Sequence, residues 1–297
     1  MIGYALRRLF TIPLVLLATF VLALALVRAA PQREQESSAL TLDDCDSDAA
    51  FVPLLLRSLV RWIQLDVDPC TGTSHDGSAV LSLLAHAVMP TVTLAGGGLL
   101  MAVVLGAIGG ALLSRGGFRA RRFISFALAV LEVVPGFVVA PALLWFFGLT
   151  LRLAPAAHPE GVSVLLPVLA LGITFAASHA RAIRDVLLAP DAIAFRRATL
   201  ARGTSAFAAR MAALRLATLP VLGALGATSS AVFMSAIAVE IVFSIPGLGS
   251  LFVSAAERAD VNVLFGAALC YACILLVSSA AFDLIYATID PRVRSAR

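Results

Sequence analysis

The stretch Arg181–Val239 reads RAIRDVLLAPDAIAFRRATLARGTSAFAARMAALRLATLPVLGALGATSSAVFMSAIAV, and it decides the fold. Its second part, Leu216–Val239, is an uncharged run of 24 residues. About 20 such residues cross roughly 30 Å of hydrocarbon as a helix rising 1.5 Å per residue. Its first part carries seven arginines. There Pro190-Asp191 opens a helix over Ala192–Arg202, and Gly203 is placed to end it in a left-handed conformation. A second helix starts near Ser205 and feeds directly into the apolar run. Two descriptions fit this charged part: a short helix on the membrane surface that presses on a partner, or an ordinary basic loop at a membrane face.

The rest of the chain repeats the apolar pattern. Further uncharged runs cover Leu9–Val27, Val88–Ser114, Val133–Leu151, Gly161–Ser178 and Val261–Phe282, so six transmembrane helices are predicted and the fold class is an all-α integral membrane protein. The third span is expected to start nearer Phe123, since Glu132 alone interrupts the apolar residues there. The fourth run is short enough to be re-entrant instead. Composition agrees: of 297 residues, 60% are hydrophobic and 13% charged, with a mean hydropathy of +0.97. A soluble domain carries about a quarter charged residues. All 22 basic residues are arginine, which excludes a P-loop, a Schiff-base lysine and a Ser-x-x-Lys nucleophile in this chain.

The arginines also orient the spans. A cytoplasmic N-terminus places 16 of the 22 inside and leaves Arg28, Arg33, Arg57, Arg61, Arg152 and Arg258 outside, as the positive-inside rule requires. Nine of the 18 acidic residues fall between Glu34 and Asp76, in the first outer loop. The net charge of +4 is therefore a sorted charge and points to no nucleic acid. Three parts follow: residues 1–30, a cytoplasmic start and first helix; 31–87, an extracytoplasmic loop; and 88–297, five helices with the basic segment 181–215. The first apolar run exceeds the 7–15 residues of a signal peptide, which favours an uncleaved helix over a leader cut after Arg28-Ala-Ala. In the loop, Phe51–Leu65 has apolar residues at helical spacing and reads as a short amphipathic helix. Cys45 and Cys70 are a candidate disulfide there, with two free thiols as the alternative. Cys270-x-x-Cys273 has no second pair to complete a metal site and reads as packing.

Phe195-Arg196-Arg197, then Arg197-Ala-Thr-Leu-Ala-Arg-Gly203, then Thr218-Leu-Pro-Val221 resemble the permease subunits of ATP-binding-cassette importers, most closely the dipeptide/oligopeptide/nickel branch. The segment 197–203 is similar to that branch's EAA-x-x-x-G motif, with Arg197 and Thr199 in place of the acidic residue and the second alanine. Tyr4–Phe10, Val239-Glu240-Ile-Val-Phe-Ser-Ile-Pro246-Gly247-Leu-Gly249, Asp283-Leu-Ile-Tyr286 and Asp290-Pro-Arg-Val-Arg294 also resemble the branch, in family order. Ala30-Pro31-Gln-Arg replaces its usual Pro-Gly-Asp.

The resemblance implies a type I importer permease in the bacterial cytoplasmic (inner) membrane, with both termini cytoplasmic and the helix before Gly203 as a coupling helix. It implies a second homologous permease, two cytoplasmic ATPase subunits or one two-domain ATPase, and an extracytoplasmic solute-binding protein as partners. ATP and Mg would be held by those ATPases, with no cofactor on this chain. The cargo it implies is a small solute, most often a peptide, with nickel or another small solute as the alternative. A membrane enzyme and a stand-alone carrier or channel are weaker fits: no catalytic or metal constellation stands out, and the two halves of the chain show no repeat.

On this basis Phe195, Arg196, Arg197, Ala198, Arg202 and Gly203 are the candidate ATPase-coupling residues. Arginine forms charge-assisted bonds to acidic or carbonyl groups, and Phe195 supplies an apolar anchor. Glu132 is a candidate for the translocation path, because an intramembrane carboxylate marks function by default. Its alternatives are a helix-packing hydrogen bond or an interfacial position. Glu240, Pro246, Gly247, Gly249 and Asp283 are structural motif residues, with interhelical bonding or capping expected for the two acids. Gly106-x-x-x-Gly110 fits close helix approach. His179 is expected at the membrane interface.

Overall fold

The computed structural model describes residues 80–115, 118–150, 164–258 and 260–289, together with Ala18 and Val21. The first predicted span Leu9–Val27, the amphipathic segment 51–65, the Cys45–Cys70 pair, the N-terminal Tyr4–Phe10 motif and the 290–294 tail lie outside the described residues. Among the described residues every regular element is helical. They are α1 Val80–Arg115, α2 Phe118–Val133, α3 Gly136–Leu143 with a π-helical continuation Leu144–Thr150, α4 Leu165–Leu188, α5 Pro190–Ala201, α6 Ala206–Leu214, α7 Thr218–Val242, α8 Leu248–Glu257 and α9 Val261–Ile289.

Among the described residues, four helical runs are long and apolar enough to cross a membrane, or five if the bent pair α2–α3 is one span. The five predicted runs that fall on described residues each meet one of these, but their limits shift. α1 begins at Val80, because His86 breaks an uncharged run without breaking a helix. α4 runs on to Leu188, so Arg181 and Arg184 ride on the spanning helix and not on a loop after it. With 24 residues, α4 is a full span and not a re-entrant segment. The third span is not straight: α2 and α3 meet at 105° across Val134-Pro135. Proline lacks the N–H that would continue α2 and holds Val134 away from helical geometry.

The described residues form two compact units. One contains α1 from Thr91, α2 to α7 and the end of α9 from Val277. α4 packs along α7 there, and small residues let α1 touch α4. Gly98, Ala102, Gly106 and Gly110 recur every fourth residue on α1, the periodicity of one helix face. A Cβ built on Gly106 would lie 2.5 Å from His179 Cβ, and one on Gly110 would lie 2.7 Å from the Ala180 carbonyl oxygen. Lipid tails supply no hydrophobic drive between helices, so such close van der Waals contact holds them. On the opposite side of α1, Leu100, Val104, Ile108 and Leu112 are exposed, as a lipid-facing stripe should be.

Ile183 and Leu187 of α4 bury against Ala213 and Ala217, with Ala107, Leu214 and Val221 beside them. This cluster clamps the end of α4 to the start of the α6–α7 run. In the second unit, Ser250 Oγ accepts a 3.0 Å hydrogen bond from the Gly247 N–H and caps α8. Asp260 Oδ1 accepts from the Val263 N–H at 3.1 Å and caps α9.

Candidate functional site

The candidate coupling segment is an exposed helix slung between two clamped legs. A single residue, Ala189, joins α4 to α5, and its ψ of 143° is extended, as the residue before a proline must be. Pro190 then occupies the first helical position, where its missing N–H costs nothing. α5 ends at Arg202, and Gly203 follows at φ +82°, the left-handed conformation expected of it. Its N–H donates to the Leu200 carbonyl at 2.9 Å. Thr204 Oγ1 donates to the Thr199 carbonyl at 2.7 Å, and Ser205 caps α6 by accepting from the Ala208 N–H at 3.2 Å. Two successive turns thus return the chain from α5 to α6, which continues through a 3-10 turn at Arg215–Ala217 into α7 as one apolar run, Ala206–Val242.

Only Ala192 of α5 is buried. Phe195 and Leu200 are 41% and 42% exposed, Arg197, Ala198, Arg202 and Gly203 are exposed, and Arg196 is half-buried. The helix thus presents a phenylalanine and a leucine beside arginines on an accessible surface. The structure therefore collects all six coupling candidates on one accessible element.

The remaining candidates separate. Glu132, near the end of α2, forms an ion pair with Arg181 of α4. Glu240 is fully buried in α7 and accepts a 2.6 Å hydrogen bond from Thr91 Oγ1 of α1, the interhelical bond expected for it. Below it, the Ile245 N–H donates to the Glu240 carbonyl at 2.8 Å and the Ser244 N–H to the Ile241 carbonyl at 3.2 Å. This 6→1 and 5→2 pairing ends α7 in a Schellman motif with Ser244, not glycine, at φ +53°. Pro246 follows and Gly247 and Gly249 are buried at the start of α8. Asp283 packs toward α7, with its Oδ1 3.9 Å from where a Gly226 Cβ would stand. Cys270 and Cys273 are free, half-buried thiols. His179 is fully buried against Gly106. Its Nδ1 lies 2.9 Å from the Phe175 carbonyl, while Nε2 is the one buried side-chain nitrogen or oxygen without a hydrogen-bond partner among the described residues.

Residues 98–295 match the family of binding-protein-dependent transport system inner membrane components. The chain belongs to this family. The match runs from the glycine face of α1 through α5 to the end of α9, so it covers the whole arrangement that suspends the exposed helix. The permease is 33% identical over 195 residues to the dipeptide transport system permease protein DppB of Bacillus subtilis, covering 65% of this chain and 62% of that one. It therefore spans less than two thirds of that relative. It is 31% identical over 225 residues to the oligopeptide transport system permease protein OppB of Haemophilus influenzae, covering 74% of each. Against a peptide permease protein of Brucella suis it is 29% identical over 320 residues, covering 99% of each.

Sequence reasoning missed Thr91, Ser244 and the Glu132–Arg181 pairing in this permease. Thr91 is one hydroxyl among many along an apolar run. Arg181 carried a signal: it follows Ser178-His-Ala with no turn former before Ala189-Pro190, so nothing there ends the spanning helix.

Proposed function

We propose that this permease forms, with a second homologous permease, the path of an ATP-driven importer for peptides delivered by an extracytoplasmic binding protein. The observation that carries it is α5: an exposed, arginine-bearing helix joined by one residue to α4 and by two capped turns to the α6–α7 run. A displacement of α5 has no slack in which to dissipate, so it moves both spans as rigid bodies. Two partner ATPases, or one two-domain ATPase, seat on Phe195, Arg197 and Arg202, with Arg196 and Ala198 at the edge and Gly203 setting the turn. They hold ATP and Mg, since this chain has no lysine for a nucleotide site. Closure of the ATPases rocks α4 and α7 and alternates the path between the two membrane faces, the energy coming from the partner. Both chain ends then lie in the cytoplasm. The peptide assignment is supported by the names of the relatives; nickel or another small solute of the same architecture is the second reading.

The test is assembly and transport. The tagged permease, expressed with its neighbouring subunits, is expected to co-purify with an ATPase subunit and to drive ATP-dependent uptake of labelled peptide into proteoliposomes supplied with binding protein. Replacement of Phe195, Arg197 and Arg202 together by alanine is expected to abolish both. Normal uptake by the permease alone would refute the coupling mechanism. Uptake of nickel with no uptake of peptide would refute the cargo.

A further inference from the structure

Glu132 of α2 and Arg181 of the spanning helix α4 form an ion pair, and both side chains are partly open, at 44% and 38% exposure. At 1.5 Å per residue, Arg181 lies about 24 Å along α4 from Leu165 and about 10 Å short of Leu188. Charged groups in spanning helices face a bundle interior or water, because lipid solvates them poorly. The exposed apolar side of α2 is made by other residues. Phe123, Phe126, Val130 and Val133 are its exposed apolar side chains, and at 100° per residue Glu132 lies across the helix from Phe123 and Val130. Ser125, two turns before Glu132, shares its face.

We infer that the face of α2 and α4 bearing Glu132 and Arg181 lines the aqueous path, and that the pair keeps this stretch electrically neutral so that cargo of either charge passes. The inference rests on the proposed peptide path. It revises the idea of Glu132 as a lone anionic contact for a cationic cargo group: with Arg181 beside it, the lining presents no net charge.

The consequence has a sign. E132Q leaves Arg181 uncompensated, so cationic cargo is slowed relative to anionic cargo; R181Q does the reverse. At about 7 Å and an effective dielectric of about 40, one unpaired charge changes the rate of a singly charged cargo relative to trialanine roughly tenfold, down for the like charge and up for the opposite one. The experiment measures initial uptake of trialanine and of its analogues with a central lysine or aspartate, by the full complex with binding protein in proteoliposomes. Each ratio is normalised to the unaltered complex, which removes the preference of the binding protein. Opposite shifts for E132Q and R181Q, with the ratio restored in the E132Q/R181Q double variant, support the lining. Equal losses for all three cargoes, or an unchanged ratio, overturn it, since a merely structural pair is blind to cargo charge. If the single variants do not assemble, Ser125→Cys in a chain lacking its four native cysteines decides: labelling by a membrane-impermeant maleimide supports the water-facing side, and protection overturns it. If the unaltered complex takes up no peptide but does take up another solute, the peptide reading fails along with the inference built on it.

Discussion

Replacing Gly106 by alanine adds one methyl group at a close approach of α1 to α4. The new Cβ would stand 2.5 Å from His179 Cβ and 3.1 Å from both the Ala176 carbonyl oxygen and the Ala180 nitrogen. Carbon atoms rest at about 3.5–4.0 Å, so the helices must separate by roughly 1 Å. No rotamer of His179 relieves the contact, because its Cβ is fixed by the backbone. The separation also loosens Gly98 on Leu171 and Gly110 on Ile183, whose contacts depend on the same spacing. Overpacking of this kind costs about 1–3 kcal/mol, offset by at most about 1 kcal/mol from alanine's better helix propensity. The control is Gly96→Ala on the same helix, where an added Cβ meets nothing within 4 Å. Thermal unfolding of the detergent-solubilised permease, followed by loss of monodisperse protein on size exclusion, is the assay. Gly106→Ala is expected to lower the midpoint by several degrees and Gly96→Ala to leave it unchanged or slightly raised. Equal midpoints for the two variants would refute the close-contact account of the α1–α4 interface.

Three other outcomes are expected. Ser244→Gly removes the cost of a side chain at φ +53°, and is expected to stabilise the permease by about 1 kcal/mol in the same melt, with Ser244→Val moving the other way. Thr91→Val takes a hydroxyl donor from the buried Glu240 carboxyl group, at a cost of about 2 kcal/mol, whereas a substitution at exposed Thr218 on the same assay is expected to cost far less. Gly203→Val forces a branched side chain into φ +82° and is expected to uncouple ATP hydrolysis from peptide uptake, read as hydrolysis no longer stimulated by loaded binding protein. Retained stimulation would show that the turn after α5 is not part of the coupling.

Local chemistry was legible wherever one segment contained its own cause. Pro190 and Gly203 punctuate α5 in sequence and do so in the structure, because a fixed φ and a positive φ are properties of single residues. Span limits were less legible. Arg181 and Arg184 continue α4 beyond its uncharged run, since a helix ends where its hydrogen bonds are replaced, here at Ala189 before Pro190, and not where hydropathy falls. The face formed by Gly98, Ala102, Gly106 and Gly110 was half seen, as the single pair Gly106 and Gly110; the repeat of four was present in the letters, but only the opposing helix gives it meaning.

By itself the sequence determined that this is a many-span membrane protein and that an arginine-rich helix interrupts the spans. Those are consequences of composition and of spacing along one helix. The tertiary structure decided which partners the buried and half-buried polar groups have: Glu132 with Arg181, Glu240 with Thr91, His179 against Gly106. Each joins residues 49 to 149 positions apart or on separate helices, and the first two are hydrogen-bonded across those distances. In a membrane the hydrophobic pattern says only which segments are inside, since every span is equally content in lipid. Which helix meets which is settled by shape and by the few polar groups that cannot be left alone, and neither is written in any one segment.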